Sequence, residues 1–463
     1  MPPWLGVSVN GGVPKVTSEM PPAVVTPTAM PPAADAAVAE RRVFAKIGWR
    51  LMPLLIVSYI LNYLDRTNVS FAALTMNDAL GLTAEQFGYG SGIFFLGYCF
   101  LELPSNLILY RVGARRWIAR IMISWGLISA TTSLASGPFS FYLLRFLLGA
   151  AEAGFFPGIA FYLSTWFPSE YRTRIIAWFM VAIPVSSVIG GPLSSLLLSL
   201  DGAGGLAGWQ WLFIVEGLPV IAVGLSVLWL LPDRPEDAAW LTDDDRRIVS
   251  ERLERERKPR EVRRLRDALA DTRVWTLAGV QFGFLVGSYG VGFFLPQILQ
   301  ARQLTNVQIG FLTSGCYACA TVAMIVWARH VDRGGRKLTH LALSCAVSAA
   351  GFLAAVVFRG NFWMAFAGIT VAVIGVNGAR AIFWTIPPRF LSGIAAAGGL
   401  AFINSIGTSG GQVGPYVMGW LRQSTGSFTI GLLSLSGFLL AAALLAWWLA
   451  LRVRREPDVA PDL

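Results

Sequence analysis

The chain has 463 residues, of which 55% are hydrophobic and only 14% charged, and its formal net charge is +10. Soluble domains carry roughly 25% charged residues, and a water-soluble body of this length has too little interior to hide so much apolar surface. The composition therefore excludes a soluble globular protein and points to a chain that crosses a membrane many times, with its basic excess in loops rather than on a nucleic-acid-binding face.

Residues 1–43 are rich in Pro, Ala and Val ("PPAVVTPTAMPPAADAA") and carry neither a secretory core nor an amphipathic period, so they read as a disordered tail. Apolar stretches of about 20 residues follow at 49–73, 86–109, 117–136, 139–166, 174–200 and 210–231. A charged stretch, 232–273, holds acidic and basic residues in equal number and reads as a solvated linker with surface helices. Six more apolar stretches lie at 274–299, 307–328, 338–358, 362–386, 395–421 and 428–451. Each suffices for a hydrocarbon core of about 30 Å, and backbone groups there must be satisfied within the segment. The expected fold is an all-α membrane protein with twelve transmembrane helices in two six-helix bundles. The bundles span 44–232 and 273–455, joined by a cytoplasmic linker at 233–272 and followed by a tail at 456–463.

Basic residues concentrate on one side: Arg41, Arg42 and Lys46, the loop "YRVGARRWIAR", the central stretch, "ARHVDRGGRK" and "RVRR". The other side holds little beyond Arg302, Arg359 and Arg422, so both termini are expected in the cytoplasm. The halves repeat. "LYRVGARRWI" corresponds to "HVDRGGRKLT", and "YLSTWFPSEYRTRIIAWFM" to "IFWTIPPRFLSGIAAAGGL", both at an offset of about 220 residues, which suits a transporter with its site between two bundles. The four cysteines (Cys99, Cys316, Cys319, Cys345) lie in apolar runs. "CYAC" lacks a second pair or a histidine and reads as small-residue packing. His330 and His340 flank a basic loop. With no nucleophile–base or metal constellation, neither an enzyme nor a cofactor is expected.

The spans nonetheless contain Asp65, Arg66, Glu102, Arg145, Glu152, Glu216 and Arg380. A charge at a helix centre costs about 2.5–3.5 kcal/mol, so these side chains should face the bundle interior and pair. Arg145 and Glu152 are seven residues apart and project from one helix face. The first and fourth spans run in opposite senses, which puts Asp65 and Arg66 at a depth similar to Arg145. The bland reading is a salt-bridge network that locks helices. The functional reading makes Arg66 and Arg145 a clamp for a substrate carboxylate, with Asp65 and Glu152 as proton carriers. Glu102 is expected to pair with Arg111 or Arg115, and Glu216 to be structural. Arg380, in "GVNGARAIFWTIPP", lies about 25 Å from the outer end of its span. It either reaches for the cytoplasmic surface or a loop acid, or lines the inner half of the cavity as a second positive centre.

The loop "DRGGRK" resembles the signature loop of the major facilitator superfamily, although its first-half counterpart carries Tyr110 where an acid is usual. Longer stretches resemble the anion:cation symporter branch, over about residues 44 to 455. They are "NYLDRTNVSFA", "FLELPSNLIL", "RFLLGAAEAGFFPGI", "WQWLFIVEGLP" and "FINSIGTSGGQVGPYVMGWLRQSTGSF". That branch includes bacterial carriers of tartrate, phthalate, galactonate and hydroxyphenylacetate. The resemblance implies import of a small organic anion by proton symport, with sodium coupling in some members. It further implies a monomer in a bacterial inner membrane whose partners are the anion, protons and lipid, with no nucleic acid. It places Tyr63 and Tyr98 at the cavity as hydroxyl donors, with packing or gating as the alternative. It also makes Asn404 the second-half ligand, with Thr408 where the family commonly has another Asn. The competing readings are an exporter or antiporter of a metabolite or drug, which would favour a larger apolar cavity with a lone acid, and a membrane-embedded enzyme or sensor.

Overall fold

Hydrocarbon forces each crossing segment to satisfy its own backbone, and the protein complies. The computed structural model describes residues 33–255, 270–389 and 393–453, and among these there are helices and short turns but no strand. The first half contains α1 (Ala33–Leu80), α2 (Ala84–Val112), α3 (Ala114–Thr131), α4 (Pro138–Glu152), α5 (Phe155–Trp166), α6 (Ser169–Met180), α7 (Ala182–Leu198) and α8 (Gly208–Leu230). After the linker helix α9 (Asp243–Arg255), the second half contains α10 (Thr272–Gln300), α11 (Asn306–Gly334), α12 (Lys337–Val357), α13 (Phe362–Phe383), α14 (Gly393–Thr425) and α15 (Phe428–Val453). With α4–α5 and α6–α7 each forming one passage, ten passages among the described residues are long and apolar enough to cross a membrane. The less apolar α3 and α14 pack among them and complete two bundles of six passages.

Three expectations change. The helix of the first passage begins at Ala33, inside the expected tail, and Val43 and Phe44 are buried. Residues 1–32 lie outside the described residues, as do part of the linker (256–269), 390–392 and 454–463. The fourth passage is not one helix. It breaks at Gly154, whose φ of +87° favours glycine and where an added Cβ would strike Ser105. The fifth breaks at Val181, three residues before Pro184, whose ring nitrogen cannot bond the carbonyl of Met180.

The linker helix is strapped to the first bundle. Lys46 reaches Asp245 at 2.7 Å, and Arg252 bridges Glu40 (3.2 Å) and Glu170 (2.7 Å). The contact with Lys46 holds the Asp245 carboxyl below the usual carboxylate range.

The repeat extends beyond the loops. α2 and α11 open with the same device, a capping box of Thr83 with Gln86 and of Thr305 with Gln308. Two residues past each box stands a glycine that permits contact between the halves. A Cβ on Gly88 would enter the carbonyl of Pro415 on α14, and one on Gly310 would enter Gly191 and Ser195 on α7. Gly92 against Gln412 and Gly419 against Ala84 continue the α2–α14 seam. The halves are thus closed against each other at the end remote from the termini, through backbone contacts that only glycine allows. Gly191→Val is expected to disfavour this closed state by about 1–3 kcal/mol, the usual cost of overpacking. In a background without native cysteines, a Cys at Ser195 should then become reactive to an impermeant maleimide from that side. Unchanged protection would refute the gate.

Candidate functional site

α1 carries Asn62, Asp65 and Arg66 at i, i+3 and i+4, so an otherwise apolar helix has polar side chains that must find partners. It finds them on α4. The Nε of Arg66 donates to Oε2 of Glu152 at 2.8 Å, and Asn62 Nδ2 donates to the same oxygen at 2.8 Å. Glu152 is fully buried, while the Arg66 side chain is 14% exposed. Arg66 therefore anchors one edge in the bundle while part of its side chain stays accessible. Aromatic rings surround its guanidinium: Tyr63 at 5.5 Å, Phe94 at 5.4 Å and Tyr98 at 5.2 Å from the ring centroids. Such faces favour a desolvated cation.

Asp65, the neighbour, points into the bundle instead. Its Oδ1 accepts from Ser129 Oγ on α3 and from Asn68 Nδ2 at 3.2 Å, and Oδ2 has no partner among the described residues. Arg145 is fully buried under Phe94, at 5.0 Å, within electrostatic range of Asp65, Glu152 and Arg66. Among the described residues none of its three nitrogens has a hydrogen-bond partner, and neither has Oε1 of Glu152. A guanidinium with charge compensation but no bonds, beside a carboxylate with one free oxygen, is an arrangement ready to exchange partners.

The second half brings its own cation. Arg380 donates through Nη2 to Ser288 Oγ on α10 at 2.7 Å. Among the described residues it pairs with no acid, and its bond to Ser288 holds it to α10. The reason lies in α10, where Ser288 and Tyr289 interrupt an apolar run and offer a polar partner at depth. Tyr289 lies within electrostatic range of both Arg66 and Arg380.

Asn404 also sits at the interface, but it is engaged. Its Nδ2 donates to both oxygens of Glu102, at 3.2 and 3.4 Å, while its Oδ1 accepts from Gln281 (3.4 Å) and Thr408 (3.5 Å). Glu102 was expected to meet Arg111 or Arg115. Instead Arg115 pairs with Asp233 at 3.6 Å, and Glu102 bridges the two halves. The helix explains this. Gly88, Gly92, Phe95 and Glu102 are spaced by three, four or seven residues, so all four lie on the face of α2 that packs on α14. Glu216 stays in the first bundle, bonded to Ser194 at 3.0 Å, as expected of a structural residue.

Of the expected site residues, Arg66, Glu152, Tyr63 and Tyr98 form one cluster, with Asp65 and Arg145 directly behind it. Arg380 and Asn404 face this cluster from the second half. Tyr289, Ser288, Glu102 and Gln281 were not singled out as site residues. The usable signal was the polar pair Ser288–Tyr289 inside a membrane-length apolar run.

Two bundles of membrane-length helices with charged side chains buried among them are the architecture of a membrane transporter. The chain belongs to the Major Facilitator Superfamily, whose family model matches residues 55–415. A "Putative tartrate transporter" of Agrobacterium vitis is 46% identical over 413 residues, covering 89% of this chain and 92% of its own. A "Quinolone resistance transporter" of Acinetobacter baumannii is 37% identical, covering 90% and 97%. Among solved structures, a bacterial homologue of the human lysosomal transporter Spinster, in an inward-facing and occupied conformation, superposes with a TM-score of 0.72 at 17% identity. The match covers 89% of this chain and 98% of that one, and it supports the fold.

Proposed function

We propose that this transporter imports a small organic anion, a hydroxylated dicarboxylate such as tartrate fitting best, together with protons. On this reading it works by alternating access in a bacterial inner membrane, as a monomer with both termini in the cytoplasm. The observation that carries the reading is Arg66, bonded to buried Glu152 yet partly accessible, with Tyr289 in electrostatic range of both Arg66 and Arg380 of the second half. Two guanidinium groups on opposite halves suit a ligand with two anionic or strongly polar ends. The relatives named for tartrate support that class.

The coupling follows from competition. A substrate carboxylate takes Arg66 from Glu152. The displaced carboxylate keeps Asn62 but loses its cation, and an uncompensated buried charge costs several kcal/mol. Taking a proton removes that cost. Asp65 is the second acid, and Arg145 behind the pair compensates whichever of the two carboxylates stays ionised. Linkage is reciprocal, so a proton bound at the pair favours the anion as the anion favours the proton. Tyr63, Tyr98 and Asn404 supply neutral hydrogen bonds, with Asn404 first having to leave Glu102.

The test is uptake of labelled L-tartrate into proteoliposomes, with and without an inward proton gradient. Accumulation above equilibrium that collapses with a protonophore is expected. Equal uptake in both conditions would sink the coupling. The Acinetobacter relative favours a second reading, drug export. Proton-driven movement of a quinolone, with no tartrate uptake, would establish it instead.

A further inference from the structure

The side of the membrane remote from the termini is poor in basic residues. The few that it has in the second half come from separate places: Arg302 follows α10, Arg359 follows α12, and Arg422 lies in the last turns of α14. The fold brings all three to one cavity of about 290 Å3, with Ser427 and Thr429 and with no carboxylate in its lining. We propose that this cavity is an oxyanion site, distinct from the central one, and that its occupant is the phosphodiester of an anionic phospholipid.

The arginines are held in place rather than merely exposed. Arg302 Nη2 donates to the backbone carbonyl of Arg359 at 2.6 Å, which ties the first loop to the second. The guanidinium of Arg422 lies 4.7 Å from the centroid of the Phe428 ring. Among the described residues none of the three forms a salt bridge. Gathering three like charges in one pocket is unfavourable unless an anion is drawn in. Planar guanidinium groups match phosphate oxygens through paired hydrogen bonds.

The rest of the wall decides between a lipid and a soluble anion. Phe362, Phe366, Ile369 and Leu432 line the cavity beside the arginines. A mouth of three cations over an apolar wall, at helix ends where the bilayer surface lies, suits a charged headgroup with attached chains. An inorganic oxyanion would use the arginines and leave the apolar wall unused. The inference does not depend on what the central site carries.

The test is native mass spectrometry of the full-length protein in non-ionic detergent, titrated with phosphatidylglycerol, phosphatidylcholine or inorganic phosphate. Phosphatidylglycerol should be retained about tenfold or more in preference to phosphatidylcholine, since each arginine near a membrane surface contributes to anionic-lipid binding. The triple variant R302Q/R359Q/R422Q should lose that preference and keep its phosphatidylcholine binding. Displacement of phosphatidylglycerol by inorganic phosphate would support the oxyanion site but overturn the lipid as its occupant. Equal retention of both lipids by the wild type, or an unchanged preference in the variant, would overturn the proposal. If the variant fails to fold, arginine modification by phenylglyoxal in wild-type vesicles gives the answer. Arg302, Arg359 and Arg422 should be protected in phosphatidylglycerol vesicles relative to phosphatidylcholine, and equal modification in both would refute the site.

Discussion

Glu152→Gln is expected to abolish concentrative uptake while leaving anion exchange largely intact. Glutamine keeps the shape of the side chain, and its carbonyl still accepts from Asn62 and Arg66, the two bonds seen at 2.8 Å. What it loses is the charge that competes with substrate for Arg66 and the ability to take a proton. An isosteric change in a buried network avoids the larger penalty of leaving donors unpaired, so folding and exchange should survive. Net uptake against a gradient needs the proton step, and its accumulation ratio should fall to the equilibrium value. Binding should strengthen, because the anion no longer displaces a carboxylate. Asp65→Asn removes the other acid, whose bonds to Ser129 and Asn68 are internal to the bundle, and should impair coupling more than affinity. The decisive comparison measures proton-driven accumulation and counterflow in the same preparation. A Glu152→Gln protein that still concentrates tartrate would remove Glu152 from the coupling pathway.

Most of the architecture was legible because lipid leaves few solutions. Membrane-length apolar runs, a charged linker and a loop repeat at one offset led to two bundles of six, and the paired capping boxes at Thr83 and Thr305 belong to the same repeat. The breaks at Gly154 and Val181 were less legible. Each depends on a local event, a left-handed glycine in contact with Ser105 and a proline near a helix junction, that average hydropathy smooths over. In the site, the meeting of Arg66 and Glu152 in one cluster was readable because buried charge must pair, whereas Tyr63 and Tyr98 were expected at the cavity only from the family resemblance. Partner choice within the cluster was not readable. Arg66, rather than Arg145, took Glu152, and this depends on how α1 and α4 meet, which spacing within one helix does not determine. Glu102 shows the same limit. Its position along α2 suggested the nearby basic loop, whereas its angular position committed it to Asn404 on the other half.

Arg380→Gln is expected to cut the efficiency of tartrate uptake by about a hundredfold, or about 2.7 kcal/mol at 1.36 kcal/mol per decade, while changing uptake of a matched monocarboxylate only slightly. Arg380 holds Ser288 at 2.7 Å and shares Tyr289 with Arg66. A ligand with one carboxylate satisfies Arg66 and has nothing charged to give the second centre. A ligand with a carboxylate at each end engages both halves at once, and losing one charged partner then strands a buried carboxylate, which costs 2–5 kcal/mol in comparable sites. Glutamine preserves a donor for Ser288, so the local packing of α10 and α13 should hold. The selective pattern is what separates a ligand contact from a structural one. A carrier weakened by lost packing would transport both substrates less well in proportion. Equal loss for the mono- and dicarboxylate, or no loss for either, would place Arg380 in the scaffold. A loss confined to the dicarboxylate would mean that one substrate molecule is gripped from both bundles, so that the act of binding draws together the two halves that must rock to move it.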